Sequence, residues 1–263
     1  MTLNSSDSHN AFYVERDIRS WYQDGSLWDR IAGTNGYDEM EGIFPGCYFD
    51  MSRGINTTGS QYTGSNKIII AALNHFKSEY GIVKNHITLV PDLHFGKSRL
   101  NDADTFTGGF VNSEMFKSTL GSPATTGNIT GTINEQLYAE FGNHLITYSE
   151  LLTSSFSQSN ANNRHHGYNG VTSSWTEKQI QSCLLSEEQV AGTIMWSTSG
   201  WEGGRVRGQF PLFRYKPNMI KRWIWLRGYQ REGAWITTDG KGQINGSKPT
   251  NSDVFLYPYF NLG

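Results

Sequence analysis

Short apolar runs, separated by polar and glycine-containing stretches, set the pattern of this chain. The continuous apolar runs Lys67–Ala72 and His86–Pro91 predict two buried central strands. Before them, Gly42–Met51 carries apolar residues around Pro45-Gly46, which predicts a turn that leads into a buried strand. Runs of this length also fit buried helical turns, and periodicity alone leaves that alternative open.

Helical spacing of apolar residues appears in four places. Residues Ala11–Tyr22 and Trp175–Val190 each place apolar side chains on one helical face, the second with Thr176 as a weak N-cap. Asn112-Ser113 predicts the start of a helix that reaches Leu120, and Asn134–Phe141 precedes Gly142 as a natural C-cap. The longest polar stretch, Ser154–Ser174, predicts a binding loop or a disordered loop.

The C-terminal part of the chain changes character. Five of the eight tryptophans lie in the last seventy residues among many glycines. Alternating patterns and an Asp239-Gly240 turn signal predict short β-hairpins there, and residues 254–260 predict a final strand. Large aromatic side chains of short strands are usually core residues, and we expect Trp225 to be one of them.

Composition narrows the class of protein. The net charge is −2, and charged residues make up 17% of the chain. This overall charge does not favour non-specific binding to nucleic acid. Aromatic residues reach 13% and glycine 29 residues, which indicates short strands and loops rather than a helical bundle. No apolar run is long enough to insert into a membrane. The polar segment 1–10 is expected to be flexible or to become ordered on a partner.

Residues that could support chemistry are scattered and weakly patterned. Asp102 and Asp104 could bind calcium, but an Asx-rich turn is the favoured interpretation. The adjacent His165 and His166 would point to opposite sides of an extended segment, which favours solvated side chains over a shared metal. Cys47 and Cys183 are interpreted as buried thiols rather than as a disulfide. We therefore predict no metal, no cofactor and no catalytic residue. The candidate ligand-binding residues, assigned to turns of the C-terminal hairpins, are Tyr229, Arg231, Trp235, Asn245, Lys248 and Asn251.

Four segments in the same order support a resemblance to a known family. They are Thr107–Phe116, Phe141–Leu152, Gln209–Phe213 and Trp223–Arg227. Together they resemble a family of uncharacterised domains that is common in phage structural proteins and bacterial surface proteins. The last segment and the residues after it are similar to the C-type-lectin-like, or formylglycine-generating-enzyme-like, fold. Relatives carry an arginine where Tyr257 stands, which removes any ion pair formed there.

The resemblance implies an α+β, C-type-lectin-like domain with short twisted hairpins, two to four helices and long loops. It implies a single domain over residues 25–263, with a Trp/Gly-rich core at 194–263 and an N-terminal arm at 1–24 that anchors to other virion proteins. The expected protein is a non-enzymatic receptor-binding or tail-fibre-like adhesin on the virion surface. Expected partners are a host surface glycan or protein and further copies of the chain, with a trimer favoured. Enzymatic relatives bind copper through cysteines, and the C-terminal half here contains only Cys183.

Two alternatives stay open from the sequence. The first is a capsid decoration or head-fibre assembly protein, in which the same aromatic residues pack against other virion subunits. The second is a glycan-cleaving enzyme that uses a carboxylate pair, either Asp102 with Glu150 or Asp239 with Glu232.

Overall fold

The computed structural model describes residues 5–57, 64–77, 82, 84–104, 106, 108–158, 170–193, 208–231, 234–239 and 243–263. Within these residues the chain forms a mixed α+β fold in which helices and turns surround three antiparallel sheets. The predicted α+β class is therefore confirmed. Among the helices in these ranges, none has both the length and the apolar character needed to cross a bilayer.

A five-stranded sheet forms the centre of the molecule. Its strand order is β1-β2-β3-β10-β6. The strands are β1 (Tyr48–Asp50), β2 (Lys67–Leu73), β3 (Ile87–Pro91), β6 (Ser182–Leu184) and β10 (Pro258–Leu262). Both continuous apolar runs found in the sequence are central strands, β2 and β3, which confirms that prediction. Almost every residue of the two strands is buried, which explains why they carry no polar face.

The C-terminal strand β10 lies inside this sheet, between β3 and β6. Phe260 pairs with Leu89 on one side and with Ser182 on the other. All five residues of β10 are buried. The sheet therefore joins strands that are far apart in the sequence.

A long hairpin replaces two of the predicted elements. Strands β4 (Tyr148–Gln158) and β5 (Gly170–Ile180) pair antiparallel, so part of the predicted loop 154–174 is strand, and residues 159–169 lie outside the described part. The helix predicted over Trp175–Val190 is wrong, because this region forms the end of β5, then β6, then the short helix α5 (Glu187–Ala191).

The helical pattern gave a wrong prediction because two polar residues of this region are buried. Gln181 accepts a hydrogen bond from the Ala124 backbone N–H at 2.7 Å, and Ser182 donates to Asn134 at 2.6 Å. Buried polar side chains that find such partners are stable inside a core. In the sequence, however, the polar residues Gln181 and Ser182 are typical of the solvent-exposed face of a helix.

The predicted C-terminal hairpins are present, and their strands form a three-stranded sheet. Strands β7 (Ile224–Arg231), β8 (Ala234–Thr238) and β9 (Ile244–Ser247) pair in sequence order. Trp225 is fully buried, as expected, and its indole N–H donates to the Ser98 carbonyl at 2.7 Å. This sheet packs into the same core cluster as the central sheet.

The remaining helices are short, apart from α4 (Ile133–Phe141). Both the predicted helix before Gly142 and the helix that reaches Leu120 are present, the latter as a π-helix over Met115–Leu120. Thr132 and Glu135 form a capping box at the start of α4. The other helices are α1 (Ser5–Asn10), α2 (Arg19–Gln23), α3 (Ser26–Ala32) and α6 (Pro211–Tyr215).

The described part of the N-terminal segment, from Ser5 onward, contacts the central sheet. The Asn10 side chain donates to the Leu73 carbonyl at 2.8 Å and accepts from the Leu73 N–H at 3.0 Å. Ile18 is fully buried, and its N–H donates to the Tyr48 carbonyl at 2.9 Å. These backbone contacts hold the chain extended before Arg19, so the helix predicted over Ala11–Tyr22 is limited to α2.

Candidate functional site

An open cleft beside the three-stranded sheet brings together an exposed aromatic ring and several polar side chains. It has a volume of about 310 Å³. We call it the Trp223 cleft, and its lining residues are Trp223, Thr237, Asn245, Gly246, Ser247, Asn251, Asp253 and Val254. Two of the six predicted ligand-binding residues, Asn245 and Asn251, are therefore brought together here.

Trp223 stands at the edge of this cleft as an exposed aromatic platform. Its side chain is 40% exposed, whereas Trp225, two residues later, is fully buried. Trp223 directly precedes β7, and its carbonyl accepts a hydrogen bond from the Phe255 N–H at 2.8 Å. The backbone of Trp223 is thus fixed while its ring stays available for contact.

The polar side chains of the cleft are positioned by a tight loop. Asn251 donates to the Ser247 hydroxyl at 2.9 Å and accepts from the Asp253 N–H at 2.9 Å. The Asp253 carboxylate pairs with Lys97 at 3.0 Å, and its side chain is 83% exposed. Asn245 accepts from the Gly246 N–H at 2.8 Å and is exposed on β9. The cleft therefore offers an amide and a carboxylate beside an aromatic ring.

The aromatic residues predicted to lie at exposed turns are core residues instead. Tyr229 is 3% exposed and Trp235 is fully buried, and they pair across β7 and β8. Their rings meet edge to face with centroids 5.7 Å apart. A ligand cannot reach the Trp235 ring in this arrangement. The short strands of this sheet need both side chains to fill the core.

The predicted set also contains two cationic residues. Lys248 is exposed and pairs with Asp104 at 3.4 Å, outside the lining of the Trp223 cleft. Arg231 lies opposite Ala234 at the end of β7, and its side chain lies outside the described part of the structure.

The aspartates considered for calcium form ordinary ion pairs and hydrogen bonds. Asp102 pairs with Arg99 at 2.7 Å, and Asp104 accepts from the Thr250 hydroxyl at 2.5 Å. The Thr250 and Lys248 contacts lower the pKa of Asp104. Within the described residues, no group of three potential metal ligands comes together. His165 and His166 lie outside those residues.

Of the two carboxylate pairs considered for glycan cleavage, Asp102 and Glu150 do not share an open cleft. Glu150 is fully buried and pairs with Arg227 at 3.7 Å, whereas the Asp102 side chain is 58% exposed. Tyr259 donates to Glu150 at 3.5 Å, so this carboxylate belongs to a buried polar cluster. Asp239 accepts from the Gln243 N–H at 2.9 Å across the β8–β9 turn, and Glu232 lies outside the described residues.

The two cysteines are buried free thiols, as predicted. Burial raises the pKa of the Cys47 thiol, and it raises that of the Cys183 thiol to about 12. Arg227 lies 3.9 Å from the Cys183 sulfur but does not offset this effect. Both side chains therefore act as small apolar core residues at neutral pH.

The exposed Trp223 was not among the residues selected from the sequence. Its pattern resembles that of Trp225, since both lie in the alternating run before Arg227. The signal that separates them is the charged pair Lys221-Arg222, which marks the chain as still at the surface before β7 begins. Comparison of the chain with protein-family models, curated proteins and solved structures gives no match.

Proposed function

We propose that this protein is a non-enzymatic binding protein of the bacteriophage virion surface, which contacts a glycan of the host cell through the Trp223 cleft. The exposed ring of Trp223, beside exposed polar side chains, is the observation that carries the proposal. We also propose that the fold is C-type-lectin-like. The order of the segments in the sequence and the C-terminal hairpins support this part of the proposal.

The chemistry of the cleft suits a sugar. One side of a sugar ring presents C–H groups, which pack on the apolar face of an indole, and its hydroxyls need donors and acceptors. Asn245 and Asp253 supply an amide and a carboxylate close to Trp223. Among the described residues that line the cleft there is no cation, and an uncharged saccharide fits this lining best.

A cleft of this size would hold only part of a polymer, and a single contact of that kind is weak. A homo-oligomer, with a trimer favoured, would present several such clefts to one cell surface. When one of several linked sites is bound, the effective concentration of the ligand at the other sites rises, and the overall avidity increases. The N-terminal segment would then connect the domain to other virion proteins.

A second function, assembly as a capsid decoration or head-fibre subunit, is favoured by a different observation. Phe12, two residues after the end of α1, is 60% exposed, although its neighbours contact the domain. A second subunit that packs on this side chain would remove its apolar surface from water. In this alternative Phe12, and not Trp223, would be the important residue.

Binding of labelled protein to intact candidate host cells, with neutral glycans as competitors, tests the proposal. We expect Trp223→Ala to weaken saturable binding by about tenfold or more, because a central aromatic anchor is lost. Its melting temperature should change by only about 2 °C, since the side chain is exposed.

Phe12→Ala is the matched control, because it also removes an exposed aromatic side chain. It should bind cells as the unmodified protein does. Equal binding by the Trp223→Ala variant would contradict a role for the cleft. A loss of virion incorporation with Phe12→Ala, without any cell binding by the unmodified protein, would favour the assembly function.

A further inference from the structure

A second cleft, chemically different from the first, lies at the edge of the central sheet. It has a volume of about 490 Å³, and strands β1 and β2, the N-terminal segment and the turn after α6 contribute to it. We call it the Tyr–Lys cleft after six of its lining residues: Tyr13, Tyr48, Lys67, Tyr215, Lys216 and Lys221.

Two of the basic side chains of this cleft, Lys216 and Lys221, belong to a local concentration of positive charge. Residues 214–222 contain Arg214, Lys216, Lys221 and Arg222 and no acidic residue, although the whole chain has a net charge of −2. All four side chains belong to exposed residues. None of them forms an ion pair with an acidic residue of the described ranges.

Aromatic rings hold two of the lysine ammonium groups in place. The Lys67 Nζ atom lies 3.8 Å from the centre of the Tyr48 ring, and the Lys216 Nζ atom lies 5.0 Å from that of Tyr13. Cation–π contacts of this kind restrict a lysine without neutralising its charge. The ammonium groups therefore remain able to attract an anion.

The cleft also contains two carboxylates, Glu15 and Asp92. Tyr13 donates to Glu15 at 3.2 Å, so this carboxylate is part of the wall. Carboxylates accept hydrogen bonds from hydroxyls, which a saccharide or polyol chain presents along its length, whereas the backbone of DNA presents none. This mixture of charges favours a ligand that carries both hydroxyls and anionic groups.

We propose that the Tyr–Lys cleft binds an anionic saccharide polymer, whose carboxylate or phosphate groups pair with Lys67, Lys216 and Lys221. The exposed part of Tyr215 would pack against the sugar or polyol carbons between those groups. This site goes beyond the Trp223 cleft, which is proposed for an uncharged saccharide, and it shares no lining residue with it.

Titration calorimetry with the 263-residue chain tests this proposal with four probes. Polygalacturonate supplies carboxylates, poly(glycerol phosphate) supplies phosphates, dextran is the neutral control, and single-stranded DNA is the nucleic-acid control. We expect binding to one or both saccharide-type polyanions, weakened by added salt because the attraction is between exposed charges. Which of the two binds more tightly identifies the anionic group.

The charge-reversed variant Lys216→Glu/Lys221→Glu should lose about tenfold or more in affinity for that polyanion. The control Lys117→Glu/Lys178→Glu changes the net charge equally at exposed residues outside the cleft, and should stay within about twofold. Trp223→Ala should also keep this affinity, so the two sites are tested separately.

Three results would overturn the proposal. They are no binding to either saccharide-type polyanion, an equal loss of affinity in both double variants, and tighter binding to DNA than to both of them. The second result would show that net charge alone is responsible. The third would identify the basic segment as a nucleic-acid contact.

Discussion

Single residues two positions apart have opposite roles in this protein. Trp223 and Trp225 belong to the same alternating run, yet one is 40% exposed and the other fully buried. The difference arises because β7 begins between them, at Ile224. Alternation places i and i+2 on one face only where both residues are in the strand. The position of a strand end therefore decides which tryptophan can contact a ligand.

Burial of the His86 ring makes the stability of the fold depend on pH. Its ring Nε2 accepts from the Phe76 N–H at 3.1 Å, and its Nδ1 lies 3.3 Å from the Lys84 carbonyl. This arrangement fits a neutral ring with the proton on Nδ1. Burial, assisted by the charges of Lys77 and Lys84, lowers the pKa of His86 to about 4.

We predict that the free energy of unfolding decreases as the pH falls from about 6.5 to 4. Between these pH values His86 binds a proton in the unfolded chain but not in the folded protein. Its contribution to stability is therefore fully present above a pH of about 6.5 and is lost as the pH falls to about 4. The contribution of this residue is about 3 kcal/mol. Urea denaturation at several pH values, with the His86→Gln variant for comparison, measures it. Identical pH dependence in both proteins would contradict the prediction.

At the scale of elements, a buried ion pair connects the sheets. Glu150 is on β4 and Arg227 is on β7, and their side chains are 0% and 4% exposed. Tyr259 of β10 donates to Glu150. The burial of the Tyr259 side chain and the Glu150 charge both raise the pKa of the tyrosine, so it stays a neutral donor. Strands of three different sheets therefore meet at one polar cluster.

We predict that Arg227→Met destabilises the fold by about 3 to 5 kcal/mol, because it leaves the Glu150 carboxylate buried without its cation. The double variant Glu150→Met/Arg227→Met should be less destabilised than Arg227→Met alone, since both charges are absent. Urea denaturation of the single and double variants measures the coupling. Additive effects of the two substitutions would show that the pair is not coupled.

Two regions of the chain show which elements could be predicted from the sequence and which could not. Strands β2 and β3 were predictable, because they are apolar on both faces and end at clear boundaries. The region 175–190 was not, because Gln181 and Ser182 are buried through hydrogen bonds to partners far away in the sequence.

The candidate site was predictable only in part, for a related reason. Asn245 and Asn251 were selected as turn residues, and they do line the Trp223 cleft. Tyr229 and Trp235 were selected because tyrosine and tryptophan are common in binding surfaces, but here the sheet needs them in its core. Composition identifies the residue types of a surface, whereas tertiary packing decides which of them are exposed.

At the scale of the molecule, one core cluster contains buried residues from all three sheets. We therefore predict that the central sheet and the C-terminal sheet unfold together, consistent with a single domain. Hydrogen exchange measured by mass spectrometry at increasing denaturant should give one opening free energy for β2 and β8. Opening of β8 at a lower denaturant concentration than β2 would indicate two separately folding units.

The position of β10 also determines how the chain can reach this fold. Its neighbours β3 and β6 come from earlier and distant parts of the sequence, so pairing must close long loops before the sheet gains stability. Until β10 is inserted, β3 and β6 each present an open apolar edge, where strands of other molecules can add. Refolding is therefore expected to be slow, with a yield that falls as the protein concentration rises.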